Sequence, residues 1–396
     1  MKKSICLFFH VHQSTRLRQY RFFDIGKDSH YYDDFANRTS LRKMLRDCYL
    51  PANAVLLDTI RKFKGKFKVS FAITGSALEQ FERYAPEVID SFKELAETGC
   101  VEFVGATYYH SLASLASQPE FKYQVLKHKE KVEKLFGQTP KAFCNTELVY
   151  SDAIGAALYG MGFETILTEG AKNVLGWKSP DYVYSCDIEP RMKLLLRNIS
   201  LSNDVSSRFS DRQWSEWPLT AEKYVGWLSA CEGDVLNLFM DYDNFGSRHD
   251  ASSGILDFLA SLPGQAIDAG MQFVTPTQAT SKLKCVGSLP VETAMSWYGE
   301  ECDVSAWLGN ELQQDAFNKL YGLSEKLAIA GDPVLWADFG HLQECENLYY
   351  MNTRFFSAGE TTAYENPYPT PYEAFINYMN ALSDFIIRVN NALAEK

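Results

Sequence analysis

A parallel α/β fold followed by a purely helical region is what this sequence predicts, and three observations predict it. Short apolar runs alternate with helix-length amphipathic segments over roughly the first 280 residues. The segments between the runs are long enough for the crossovers that parallel strands require. From about residue 300 onward only helical periodicity remains. An open doubly wound sheet and a closed barrel both satisfy this alternation, and periodicity does not choose between them.

The strand candidates, in order, are Ser4–Phe9, Lys68–Ile73, Val101–Val104, Lys141–Cys144, Glu164–Thr168, Leu194–Arg197, Val235–Met240 and Met271–Val274. Each is a short apolar run bounded by polar or turn-forming residues. Between the second and third, Leu78, Phe81, Val88, Ile89, Phe92 and Leu95 recur at helical spacing and predict one helix over 78–98. Gly99 then stands where a left-handed helix end is expected. In the helical region a long helix is predicted from Asp303 toward Ala328. A second begins at Thr370-Pro371 with Glu373 completing a capping-box pattern, and it turns Phe375, Met379, Leu382, Phe385 and Val389 to one face. The glycine- and proline-bearing stretch Lys284–Cys302 is the expected junction, dividing the chain into units 1–285 and 286–396.

Composition narrows the function classes. The chain has 396 residues, 46% of them hydrophobic and 22% charged, which are ordinary globular proportions and exclude disorder as its main character. Its net charge of −11 opposes binding to nucleic acid or to an anionic membrane. Nine cysteines without a CxxC pair, mostly in apolar surroundings, predict free buried thiols and a reducing, cytoplasmic setting. The run Ile5–Phe9 is too short for a secretory core, and no stretch approaches the roughly 20 apolar residues of a membrane span.

Parallel α/β enzymes carry their chemistry at the C-terminal strand ends. Those positions hold His10 and His12 after the first strand and Glu102 near the end of the third. Later strands end at Glu147, Glu169, and Asp241 with Asp243. Paired carboxylates are the minimum set for glycoside hydrolysis, and the pattern leaves open which two. Asp241 follows an apolar run, so desolvation should raise its pKa as an acid catalyst requires; its bland alternative is a turn aspartate. Glu147 precedes a helix predicted at 151–161, so a charge favoured by the helix dipole is its bland alternative. His10 and His12 share a strand face, which suits a shared metal, a rim hydrogen-bond network, or contacts to sugar hydroxyls.

The segments HVHQS (10–14), GCVEFVG (99–105), FCNTELVYS (143–151), MDYDNFG (240–246) and AWLGN (306–310) occur in the order of the five motifs of glycoside hydrolase family 57. The sequence most resembles that family's α-amylase branch, whose third motif carries Asn-Thr-Glu. The resemblance implies an incomplete (β/α)7 barrel over residues 1–285, followed by a helical domain over 286–396 that completes the cleft. It implies Glu147 as nucleophile and Asp241 as general acid/base. It also implies substrate contacts from His10, His12, Glu102, Trp307 and Asp243, with no metal and no cofactor. Ser14 stands where the family usually has proline, and Asp243 where glutamate is commoner. Of the tryptophans in polar contexts (177, 214, 217 and 307), only Trp307 has a motif behind it, and it is expected to stack on a sugar ring.

The implied activity is a retaining, α-amylase-like hydrolase of α-1,4-glucans or maltooligosaccharides. A 4-α-glucanotransferase or branching enzyme on the same scaffold is the nearest alternative. A metal-dependent hydrolase or deacetylase using His10 and His12, and a glucan-binding protein without turnover, are the others.

Overall fold

The computed structural model describes residues 2–354 and 366–395; part of the expected helical unit, 355–365, lies outside the described residues. Among the described residues there are twelve strands: β1 Ser4–Val11, β2 Val69–Ile73, β3 Val101–Phe103, β4 Ala142–Cys144, β5 Thr165–Glu169, β6 Val183–Cys186, β7 Lys193–Arg197, β8 Val235–Asp241, β9 Phe245–Gly246, β10 His249–Asp250, β11 Gln272–Phe273 and β12 Cys285–Leu289. β1 is the hub of one ladder. It pairs in parallel with β8 along Ser4–His10, with β2 along Phe8–Val11 and with β11 at Ser4–Ile5, while β2 continues to β3. The second ladder runs β12-β6-β7-β5-β4 and is parallel except between β6 and β7. The two ladders meet at the parallel bridge Gly105–Phe143 and again where the Asn237 side chain donates to the Leu196 carbonyl, 2.9 Å.

Alternation explains which side chains each strand buries. Ile5, Leu7, Phe9 and Val11 pack outward on helices, whereas Cys6 and Phe8 join Ala142, Cys144, Leu167, Leu195 and Phe239 in a small core between the ladders. Such two-sided burial is why these strands read as continuous apolar runs. The eight strand candidates all coincide with observed strands, the last shortened to Gln272–Phe273. β6 was missed. The other corrections are local. The helix expected over 78–98 is two helices, Gly75–Tyr84 and Pro86–Glu97, because Pro86 lacks the N–H that would continue the first. Gly99 does adopt the left-handed conformation, with φ 67°.

The C-terminal region is mostly helical. Its predicted 303–328 helix is interrupted into Ser305–Leu308, Glu311–Tyr321 and Ser324–Ala330, since Asn310 opens a fresh helix with its own capping box. β12, inside the expected junction, crosses residue 285 and belongs to the second ladder. The last helix, Pro371–Ala394, starts on the predicted Thr370 cap. It is tied to the N-terminal segment by buried bonds: Asn377 Oδ1 accepts from Tyr20 N and Asp384 Oδ2 from the Tyr31 hydroxyl, both at 2.6 Å. Among the described residues no helix is long and apolar enough to cross a membrane.

One glycine in the fourth motif is fixed by sterics. Gly246 has φ 123°, and a Cβ there would lie 1.9 Å from the Asp47 carbonyl oxygen. Gly246→Ala should therefore cost about 2–5 kcal/mol, from backbone strain plus overpacking. A denaturant titration reads this directly, and an unchanged midpoint would contradict the close approach.

Candidate active site

The same alternation that fills the inner core sets the rim. Cys6 and Phe8 point inward on β1, and His10 is the next residue of that face; Val235, Asn237 and Phe239 point inward on β8, and Asp241 follows them. The parallel register pairs His10 with Asp241, bringing His10 Nδ1 to 3.4 Å from Asp241 Oδ1. A neighbouring pair repeats the logic: Glu169 of β5 is in register with Arg197 of β7 and bonds it at 3.1 Å. Arg197 also donates to the Phe239 carbonyl and to Asn203, so its guanidinium is fixed beside the cleft.

Glu147 is presented differently. It sits in the short turn Thr146–Leu148 just after β4, and both Glu147 and Leu148 have φ of 55°. Left-handed backbone is costly for residues with side chains, by about 1–3 kcal/mol each, and persists where packing imposes it. Asn145 braces the turn by donating to Val149 O at 2.9 Å and Ser114 Oγ at 3.0 Å. The carboxylate is then met from several sides. Trp297 Nε1 donates to Oε2, the Cys345 thiol donates to Oε1 at 3.6 Å, and His110 Nε2 lies 3.4 Å from Oε1.

Asp241 lies at the open side, its side chain 57% exposed. Desolvation pushes its carboxyl up, but the hydrogen bond and charge of His10, with the charges of Arg248 and Arg197, outweigh it and hold the pKa below the ordinary value. The expectation of a raised pKa at Asp241 is thereby corrected: the apolar run before it lines the strand interior, and cationic neighbours surround its tip. The raised group is Asp243, pushed up to about 6 by burial and then by the charge of Asp241.

His10, Glu147 and Asp241 line one cleft of about 760 Å³, together with His110, Arg197 and Trp297. His12 sits behind it, with Nδ1 2.8 Å from Thr74 Oγ1 and Nε2 3.0 Å from Glu346 Oε1. Three predicted contacts lie elsewhere. Glu102 is turned to the opposite end of its strand, where it accepts from the backbone N and hydroxyl of Thr277 at a helix start. Asp243 is half-buried behind Asp241, 4.0 Å from Arg248, and does not line the cleft. Trp307 is 0% exposed, ringed by Trp297, Tyr298 and Tyr349, so it has no face for a sugar. Trp177 and Trp217 are exposed away from the cleft lining, and Trp214 packs on Trp227.

Sequence reasoning missed His110, Arg197, Trp297, Cys345 and Glu346. Arg197 was legible as a charge at a strand end. The others sit in turns or in the helical region, where no periodicity points at the cleft. Two groups of donors are close enough for one metal ion: His110, Glu147, Cys345 and Glu346, and His12, Glu344 and Glu346, each set within 4.8 Å. Among the described residues His10 belongs to neither group; its Nδ1 is directed to Asp241.

Comparison with known proteins decides the family. The sequence profile described as "Glycosyl hydrolase family 57" matches residues 6–292. The chain belongs to glycosyl hydrolase family 57. A relative named "Putative alpha-amylase", from Methanocaldococcus jannaschii, is 35% identical over 98% of this chain and 85% of its own length. "Alpha-amylase 1" of Dictyoglomus thermophilum is 25% identical over 46% of this chain and 26% of its own. The fold is similar to that of a family 57 branching enzyme from Thermococcus kodakaraensis, with TM-score 0.72, 14% identity, and coverage of 100% of this chain and 91% of that one. It is also similar to the 4-alpha-glucanotransferase of Thermococcus litoralis, with TM-score 0.69 and 14% identity; coverage is 96% of this chain but only 59% of that enzyme. Family 57 membership makes this chain a glycoside hydrolase or transglycosylase.

The two tryptophans of the cleft wall should part experimentally. Trp307→Ala, a fully buried truncation, should cost about 3–5 kcal/mol of stability. Trp297→Phe keeps the packing but removes the donor to Glu147, so it should lower kcat/KM by about tenfold or more at nearly unchanged stability. Parallel thermal melts and kinetics on both variants check the assignment; equal destabilisation by the two would refute it.

Proposed function

We propose that this protein is a retaining enzyme of α-1,4-glucans, with Glu147 as nucleophile and Asp241 as general acid/base. The observation that carries the reading is Glu147 itself: a strand-end carboxylate in a strained turn, oriented by Trp297, Cys345 and His110, with Asp241 and His10 lining the same cleft. On this reading Asp241 protonates the glycosidic oxygen as Glu147 attacks the anomeric carbon, giving a glycosyl ester. Asp241 then takes a proton from the incoming acceptor and the ester is displaced with net retention. His10 holds Asp241 in place, and Arg197 and Arg248 balance the negative charge of the cleft.

With water as acceptor the activity is that of an α-amylase, the reading favoured by the name of the 35% identical relative. With a sugar hydroxyl it is a glucanotransferase or a branching enzyme, activities named for similar folds. The strands β1–β5, β7 and β8 fit an incomplete (β/α)7 barrel over residues 1–285, with 286–396 completing the cleft through Trp297 and Cys345 in place of Trp307. Seven of the nine free cysteines are buried, in keeping with a reducing, cytoplasmic setting.

Incubation with maltoheptaose tests the activity: shorter sugars alone mean hydrolysis, and longer ones mean transfer. Glu147→Gln should abolish turnover by several orders of magnitude, and azide should then release a β-configured glycosyl azide. Full activity in a folded Glu147→Gln protein would end the nucleophile assignment. The alkaline limb also has a sign. Burial and the charge of Asp241 push Asp243 up to about 6, so the two neighbouring carboxylates favour keeping one proton between them. Asp243→Asn removes the like charge that favours that proton, so the alkaline fall of kcat/KM should move to lower pH. A profile unchanged from wild type would separate Asp243 from the acid.

A further inference from the structure

We propose that His110, Glu147, Cys345 and Glu346 form an inhibitory site for a zinc-like ion, which takes the Glu147 oxygen needed for attack. The inhibition rests on Glu147 being the nucleophile; the site itself does not, and the test separates the two. One donor atom from each of these four buried residues lies within 4.8 Å of the others. Cys345 Sγ is 3.5 Å from His110 Nδ1 and 3.6 Å from Glu147 Oε1, and His110 Nε2 is 3.4 Å from that same oxygen. Zinc bonds of about 2.0 Å to nitrogen or oxygen and about 2.3 Å to sulfur set tetrahedral ligand separations of about 3.3–3.6 Å. The observed spacings fall in that range.

Two atoms of the cluster point to a ligand independently of the spacing. His110 Nε2 and Glu346 Oε2 have no hydrogen-bond partner among the described residues, on side chains only 2% and 4% exposed. Buried polar atoms are normally satisfied, and a bound cation is the kind of partner that both a ring nitrogen and a carboxylate oxygen accept. The main chain assembles the donors before any ion arrives: Cys345 N donates to the His110 carbonyl at 3.0 Å, beside the antiparallel bridge Ser111–Glu344. Sulfur and imidazole select zinc over calcium or magnesium, which take oxygen ligands. His110 and Glu147 line the cleft while Cys345 and Glu346 stand behind them, so the ion enters where the glucan binds. Binding replaces the S–H bond of Cys345 by a sulfur–metal bond, and the proton leaves to solvent. The ion is an inhibitor and not a cofactor, because turnover needs the Glu147 oxygen that it takes.

Cobalt(II), a spectroscopic stand-in for zinc, tests the site on reduced, chelator-treated protein. A single equivalent should give thiolate-to-cobalt charge-transfer absorption, and added zinc should erase it. Cys345→Ser should lose that absorption and Glu346→Gln should weaken cobalt binding. Cys302→Ser, which removes another thiol of the cleft lining, should keep the absorption. Zinc should lower kcat/KM on maltoheptaose by about tenfold or more, with excess glucan opposing the loss and a chelator reversing it. Absence of the thiolate absorption in the wild type overturns the site with no variant needed. So does absorption that survives in folded Cys345→Ser protein. Where Cys345→Ser fails to fold, an unchanged cobalt affinity in Glu346→Gln overturns the donor set instead. Absorption lost in Cys345→Ser, beside full wild-type turnover with zinc bound, upholds the site but overturns the inhibition, and with it Glu147 as the nucleophile.

Discussion

A strand buried on both faces can carry polar side chains only where it leaves the core, and β1 is buried on both faces along almost its whole length. It pairs with three other strands, so its register sets theirs. His10 is the first inward residue of β1 past the apolar core, and the parallel register with β8 places Asp241 beside it. One residue of slip would turn both side chains into the helix layer and bring Phe9 and Met240 to the rim. The His10–Asp241 side of the cleft is therefore a direct consequence of strand pairing.

The Glu147 side of the cleft has another origin. Glu147 leaves its strand through a left-handed turn, which a strand register cannot dictate. It is set by what packs around it: Asn145 from below, and Trp297 and Cys345 from beyond the strands. Two carboxylates of the same chemical type thus stand in unlike surroundings. Asp241 is solvent-facing among cations, while Glu147 is buried among neutral and imidazole donors. The two roles proposed for them need unlike surroundings, yet the cations around Asp241 favour its ionised form and leave the raised pKa to Asp243.

This difference of origin explains what the sequence disclosed. Strand positions were legible because two-sided burial writes itself as apolar runs, and each run's polar end then marked His10, Glu147 and Asp241. Glu102 was misplaced because period-two alternation gives a residue's face and not its height: it faces a helix start at Thr277, away from the rim. Trp307 was misread because its motif marks the cleft wall without saying which indole of that wall is bare. Trp297 is the half-buried partner that lines the cleft, and Trp307 is the packing behind it. Helix breaks at Pro86 and Asn310 were written in local residue types, yet the apolar spacing ran across both and masked them.

Residues from the helical region then bear on energetics as well as shape. His110, Glu147 and Leu148 all hold positive φ, and each such residue costs about 1–3 kcal/mol unless its surroundings favour it. Glu147 meets Trp297 and Cys345, and His110 meets the segment Glu344–Glu346, whose main chain pairs with that of His110 and Ser111. Without these contacts the turn at Glu147 would relax toward ordinary backbone, and its carboxylate would swing away from the cleft. The C-terminal region therefore belongs to the same packed unit as the cleft: it supplies contacts that hold the left-handed turn of Glu147, the nucleophile proposed above.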